Sequence, residues 1–125
     1  MRRPTVVLAD NDPELLDLLE TDLNLEGYDV VATVQSGEAA LEVCAQHRPD
    51  VLVVDYRMPP GLNGLETAQR ARTSGIAAAV ILYTNYRLPD LATQAHRFGA
   101  TVVVKGPLRA LRAALAEAVG AANSG

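Results

Sequence analysis

The sequence predicts a doubly wound α/β domain, a five-stranded parallel sheet with helices on both faces. Five short apolar runs rich in β-branched residues punctuate the chain, and four of them are continuous rather than alternating. Runs of that kind suit strands covered on both faces. Segments with apolar residues three and four apart separate them, and strict strand–helix alternation with crossovers of this length feeds parallel pairing.

The elements follow in order. Residues 5–9 form the first strand and end at Asp10. The helix over 13–25 carries Leu15, Leu16, Leu19 and Leu23. Asp12 is its N-cap, Pro13 takes the first helical position and Gly27 lies just past its end. Residues 29–34 are the second strand. Ser36 caps a second helix that holds Ala40, Leu41 and Cys44 and stops at Pro49. The third strand, 51–54, leads to a helix from near Gly64 to Ser74. The fourth, 79–83, precedes a helix from Pro89 to Phe98 that Gly99 ends. After the fifth strand, 101–104, the last helix runs from Pro107 to Val119 with Leu108, Leu111, Leu115 and Val119 on one face. Residues 1–121 make one domain, and 122–125 a small polar tail expected to fray.

The chain has 125 residues, 15 acidic and 11 basic, for a net charge of −4. At about 150 residues per domain there is room for one domain only. A pI near 5.0 supplies no basic field for holding nucleic acid directly. Cys44 is the single cysteine, which excludes an internal disulfide and a cysteine-based zinc site. The apolar run before Asp10 is too short for a signal peptide or a membrane span. A cytoplasmic protein with no membrane attachment is the expectation. Ten of the eleven basic residues are Arg, and Lys105 is the only lysine.

In an open α/β sheet, ligands bind beyond the carboxyl ends of the strands where strand order switches. The first polar residues after each apolar run are therefore the candidates: Asp10, Asn11 and Asp12 after strand 1, Asp55 after strand 3, Thr84 and Asn85 after strand 4, and Lys105 after strand 5. With strand order 2-1-3-4-5, Asp10 and Asp55 meet at one edge, flanked by the Thr84 hydroxyl and the Lys105 ammonium. Two carboxylates side by side invite a hard divalent cation such as Mg²⁺, and a lone lysine is a compact charge suited to a phosphoryl oxygen.

VLADNDPE at 7–14, PDVLVVDYRMPPG at 49–61, NGLE at 63–66, VILYT at 80–84, and Gly99-Ala100 leading to Lys105 occur in the right order and element context. With them the chain resembles the receiver domain of bacterial two-component response regulators, from Thr5 to about Val119. The resemblance implies a flavodoxin-like fold and a phosphoacceptor role for Asp55, with the phosphoryl group coming from a histidine kinase or phosphotransfer protein. It implies that Asp10 and Asp55, the Arg57 backbone carbonyl and the Asn11 side chain contact Mg²⁺. Thr84 matches the hydroxyl that bonds the phosphoryl group, and Lys105 the phosphate-contacting lysine. The only catalysis implied is the domain's own phosphorylation and dephosphorylation. The output partner, or the protein's own effector domain, would read helix 4, strand 5 and helix 5, with Leu91, Arg97, Phe98 and Arg109 among the surface residues. A homodimer is one option the resemblance leaves open, as is a stand-alone receiver against the receiver portion of a longer regulator.

Several positions depart from the family's pattern. Asn11 stands where a second acid usually ligates the metal, so weaker Mg²⁺ binding is expected. Val102 stands where an aromatic residue is common, so a signal would travel through Thr84 and its loop, or through another aromatic such as Tyr86. Lys105 is followed by Gly106-Pro107 rather than directly by Pro, and the loop between Asp55 and Gly64 is one residue longer than the commonest form. Tyr86 and Arg57 flank the expected approach of water and would slow hydrolysis of an aspartyl phosphate. Two other readings stay open: a degenerate receiver that only binds partners, and a haloacid-dehalogenase-type phosphohydrolase using Asp10 as nucleophile with Asp12 as acid/base. His47 and His96 are expected at the surface, and Cys44 in the core.

Overall fold

The computed structural model describes residues 2–124, with side chains through residue 120. Ten elements alternate without exception: β1 (Thr5–Ala9), α1 (Pro13–Leu25), β2 (Asp29–Val34), α2 (Gly37–His47), β3 (Val51–Val54), α3 (Gly64–Thr73), β4 (Ala79–Thr84), α4 (Leu91–Arg97), β5 (Ala100–Val104) and α5 (Leu108–Ser124). The strands form one parallel sheet in the order β2-β1-β3-β4-β5, as the sequence predicts.

Pleating divides the core in two. Val7, Ala9, Leu52, Val54, Val80 and Leu82 face α2, α3 and α4, where Ala40, Cys44, Ala68, Ala71 and Ala95 meet them. Val6, Leu8, Val51, Val53, Ile81 and Tyr83 face α1 and α5, packing on Leu16, Leu19, Leu23, Leu111 and Leu115. Side chains leave a strand alternately on its two faces, so a strand buried on both must be apolar throughout. Each fully buried Leu or Val contributes about 1.5–3 kcal/mol relative to exposure. Burial pushes the Cys44 thiol up to about 12, so it stays protonated and acts as a small apolar residue.

Local chemistry fixes the helix ends. Asp12 accepts from the Glu14 and Leu15 N–H groups, and Ser36 from Ala39. Asn63 and Glu66 form a reciprocal capping box at the start of α3, which satisfies two otherwise orphaned donors. Gly99 closes α4 with φ +75°, a backbone shape open to glycine at little cost. Across the α1–α5 seam, Arg112 pairs with Asp22.

Several boundaries differ from expectation, mostly by one residue, and three of the differences matter for the site and the surface. Thr84 is the last residue of β4 rather than the first beyond it, because it pairs with Val104 of β5. Helix α4 begins at Leu91, since Pro89 and Asp90 belong to a turn closed by the Leu91 N–H on the Leu88 carbonyl at 3.2 Å. Leu91 is 3 % exposed and part of the core, which corrects its assignment to an output surface. Arg97 and Arg109 are exposed and Phe98 is half-buried. Helix α5 enters the stretch 122–125 expected as a tail, whose side chains lie outside the described residues.

Charge is segregated across the sheet. Residues 4–47, which build β1, α1, β2 and α2, contain ten acids and no Lys or Arg. Residues 48–125 contain nine basic and five acidic side chains. The β2 edge of the molecule is thus acidic and the β5 half basic. No helix among the described residues is long and apolar enough to cross a membrane.

Candidate functional site

The backbone ladder carries Asp10 and Asp55 just past the strand ends. The Asp10 N–H donates to the Val34 carbonyl at 3.1 Å, and the Asp55 N–H to the Ala9 carbonyl at 3.0 Å. The two carboxyl groups therefore emerge beside each other where β1 and β3 end. Lys105, past β5, is anchored by its N–H on the Thr84 carbonyl at 3.1 Å. Its side chain crosses toward β3 and β1. Lys105 Nζ donates to Asp10 Oδ2 at 2.7 Å and to Asp55 Oδ2 at 3.0 Å.

The other carboxylate oxygens are held by backbone. Asp10 Oδ1 accepts from the Asp12 N–H at 2.9 Å and Asp55 Oδ1 from the Tyr56 N–H at 2.7 Å. Asp10 is 3 % exposed and Asp55 8 %, so water offsets little of their charge. Burial by itself would lower the Lys105 ammonium, but its hydrogen bonds to Asp10 and Asp55 and their negative charge outweigh it and hold the group above its ordinary value. Two buried acids face one ammonium.

Thr84 is buried, and its Oγ1 accepts from the Tyr86 N–H at 3.0 Å. A cavity of about 190 Å³ opens beside Asp55, lined by Arg57, Thr84, Asn85, Tyr86 and Lys105. The ring of Tyr86, one of the lining residues, stacks on Tyr56, with centroids 5.0 Å apart and planes 9° from parallel. The Arg57 guanidinium lies 5.2 Å from the Tyr86 ring centre, within range of a cation–π contact.

The structure thus brings Asp10, Asp55, Thr84 and Lys105 to one sheet edge. Asn11 is different: it is exposed and, among the described residues, stands outside the hydrogen-bonded cluster. Arg57 lines the cavity, with its guanidinium over the Tyr86 ring. Asp12 turns its carboxylate onto the first turn of α1, away from an acid/base role beside Asp10. His47 and His96 are exposed, as expected.

The donor set suits a hard divalent cation. Buried carboxylate oxygens from two strands, with one ammonium set against two acids, leave negative charge at this edge, and oxygen donors of that kind fit Mg²⁺. No group of three or more His, Cys, Asp or Glu is gathered for a metal among the described residues. Backbone and solvent oxygens would complete the shell.

A family profile described as the response regulator receiver domain matches residues 6–117. The chain belongs to that family. Receiver domains are signalling domains of two-component systems and generally bind Mg²⁺ at their acidic site. Among curated proteins, the chain is 35 % identical over 96 residues to the probable transcriptional regulatory protein NarL of Mycobacterium tuberculosis, covering 76 % of this chain and 44 % of that protein. It is 33 % identical over 106 residues to the transcriptional regulatory protein PdtaR of the same species, covering 83 % and 50 %. The receiver thus spans about half the length of the curated relatives it matches. The solved signal receiver domain of the putative response regulator NarL from Mycobacterium tuberculosis superposes with a TM-score of 0.84 at 30 % identity, covering 96 % of this chain and 99 % of that one. The family match favours the receiver over the phosphohydrolase reading.

Two neighbours of the receiver's acidic edge escaped sequence reasoning. Tyr56 carries the N–H that holds Asp55, and its position directly after that residue was the available signal. Gly64 reads as a turn former, yet a Cβ there would stand 2.1 Å from the Asp55 carbonyl oxygen. Only a residue without a side chain lets α3 approach the acid so closely.

Proposed function

We propose that the receiver accepts a phosphoryl group on Asp55 from a histidine kinase or phosphotransfer protein and thereby switches a partner-binding face. The observation that carries this reading is the single ammonium of Lys105 held on both buried acids at the carboxyl edge of the sheet. A carboxylate oxygen of Asp55 attacks the phosphorus of the donor. The O–P bond forms, the P–N bond to the donor histidine breaks, and its electron pair leaves on the imidazole nitrogen. Lys105 stabilises charge on the transferring phosphoryl oxygens, and the Thr84 hydroxyl donates to one of them.

Asp10, Asp55 and the Arg57 backbone carbonyl are the proposed holders of Mg²⁺, which when bound offsets the repulsion between an anionic donor and Asp55. Asn11 supplies at most a neutral oxygen near that ion, so the affinity is lower than with a third carboxylate. The receiver's own phosphorylation and dephosphorylation are the only chemistry proposed, in the cytoplasm. The output face is formed by α4, β5 and α5; it addresses a partner protein, a second copy or an effector domain rather than nucleic acid.

Incubating the receiver with Mg²⁺ and acetyl phosphate, read by intact mass, tests the proposal. One phosphoryl adduct is expected on the wild-type chain and none on Asp55→Ala. The absence of any adduct would leave a receiver that works by binding alone, the reading that Asn11 and Val102 favour. An adduct that survives Asp55→Ala would assign the chemistry to another residue.

A further inference from the structure

The stacked tyrosines are joined to the acidic edge by their own backbones. The Tyr56 N–H donates to Asp55 Oδ1 at 2.7 Å, and the Tyr86 N–H to Thr84 Oγ1 at 3.0 Å. Their rings stack at 5.0 Å, nearly parallel. A continuous path therefore runs from the Asp55 carboxylate through Tyr56, across the ring stack and through Tyr86 to the Thr84 hydroxyl. It bridges the loops after β3 and β4, next to the proposed nucleophile, which directly follows β3, and the proposed hydroxyl donor, which ends β4. Arg57, over the Tyr86 ring, adds a cationic contact to the same assembly.

From this geometry we infer that the Tyr56–Tyr86 stack is a positioning clasp, which holds the Asp55 carboxylate and the Thr84 hydroxyl in the mutual geometry that phosphoryl transfer needs. This role rests on the phosphoacceptor reading of Asp55. Tyr56 and Tyr86 are positioning residues: each acts through the side chain its N–H holds. Fixing both groups matters because displacements of about an ångström slow such reactions strongly. The loop after β4 is otherwise thinly anchored, with residues 85–90 all exposed. The rings supply a cross-loop tie that this exposed segment lacks. A phosphoryl oxygen arriving on Asp55 is a charged acceptor, and hydrogen bonds to charged acceptors are roughly twice as strong as neutral ones. It therefore draws the Thr84 hydroxyl without needing the clasp to break first.

Two measurements on wild type, Tyr86→Leu and Tyr86→Phe test the clasp. The first is amide hydrogen exchange at Tyr56 and Tyr86 without any donor. A stacked pair is worth about three- to tenfold in local opening, so exchange at both amides should rise by that factor in Tyr86→Leu and return in Tyr86→Phe. The second is the rate of adduct formation against acetyl phosphate concentration in the presence of Mg²⁺. A positioning role lowers the maximal rate in Tyr86→Leu and leaves the half-saturating donor concentration unchanged, with Tyr86→Phe restoring the rate. Unchanged exchange at Tyr56 in Tyr86→Leu overturns the clasp, whatever the mass data show. Adducts formed at equal maximal rates by all three proteins overturn its role and leave the phosphoacceptor reading standing. No adduct on the wild-type chain overturns both assignments, and the exchange data then report ring coupling alone.

Discussion

Replacing Lys105 by Met removes the ammonium facing Asp10 and Asp55 while keeping most of the side-chain volume. Each lost contact, at 2.7 and 3.0 Å, is worth about 6 kcal/mol in Coulomb energy at an effective dielectric of 20, before desolvation is subtracted. The lysine side chain is 16 % exposed and the two acids are less so. Both partners are therefore already desolvated, and removing one strands the other. Breaking buried pairs of this kind costs about 3–5 kcal/mol, and the residual exposure of Lys105 places the expectation at the lower end, about 3 kcal/mol. Urea unfolding at pH 7 reads this directly: the midpoint should fall with the slope unchanged. Mg²⁺ should then stabilise Lys105→Met more than the wild type, because the variant leaves both carboxylates without their cation. A loss below about 1 kcal/mol, or equal Mg²⁺ stabilisation of both proteins, would refute the reasoning.

Other perturbations probe the same edge. The raised Lys105 ammonium contributes stability that is complete below its unfolded value, near the ordinary 10.5, and is lost as pH rises through the higher folded value; the gap in stability between wild type and Lys105→Met should therefore narrow above pH 10.5 and stay constant between pH 7 and 9. Lys105→Arg replaces a compact charge with a planar fork that cannot reproduce both contacts, so adduct formation should slow at least about tenfold; an unchanged rate would mean any cation suffices. Tyr86→Ala opens the cavity beside Asp55 and should speed phosphoryl loss from the modified protein, measured as the decay of the mass adduct after donor removal. Asn11→Asp restores a third acid at this edge and should tighten Mg²⁺ binding by roughly tenfold, read by isothermal titration. Gly64→Ala should destabilise by about 1–3 kcal/mol, since the new methyl meets the Asp55 carbonyl and Leu82; a variant as stable as wild type would show that α3 can retreat.

Signals written within a few residues were legible in the sequence. Asp12, Pro13 and Gly27 bracket α1, and Ser36 opens α2, because caps act on the nearest backbone N–H and C=O groups. The continuous apolar runs gave the sheet and its burial on both faces. Asp10, Asp55, Thr84 and Lys105 stood out because a parallel sheet collects at one edge whatever follows its strands. The features that stayed hidden depend on partners far along the chain. Tyr56 and Tyr86 lie 30 residues apart and share no pattern, so their stack follows only from how two loops settle. Thr84 joins β4 because Val104 is there to pair with it. Leu91 belongs to the core because it shares one buried cluster with Val80, Leu82 and Ala100, none of them a near neighbour in sequence. Asn11 directly follows a buried acid yet is itself exposed, a difference that adjacent polar residues in a sequence do not reveal.

The partition of charge between the two ends of the sheet makes the receiver an electric dipole lying along the strand order. A body of this kind turns in the field of an approaching charged surface before the two touch. At physiological ionic strength that field is damped within about 8 Å, and at 0.01 M it reaches about 30 Å. Encounters in dilute buffer would thus begin already oriented, with the β2 end presented to cations and the β5 end to anions. Added salt would randomise the approach without altering a single contact in the final complex.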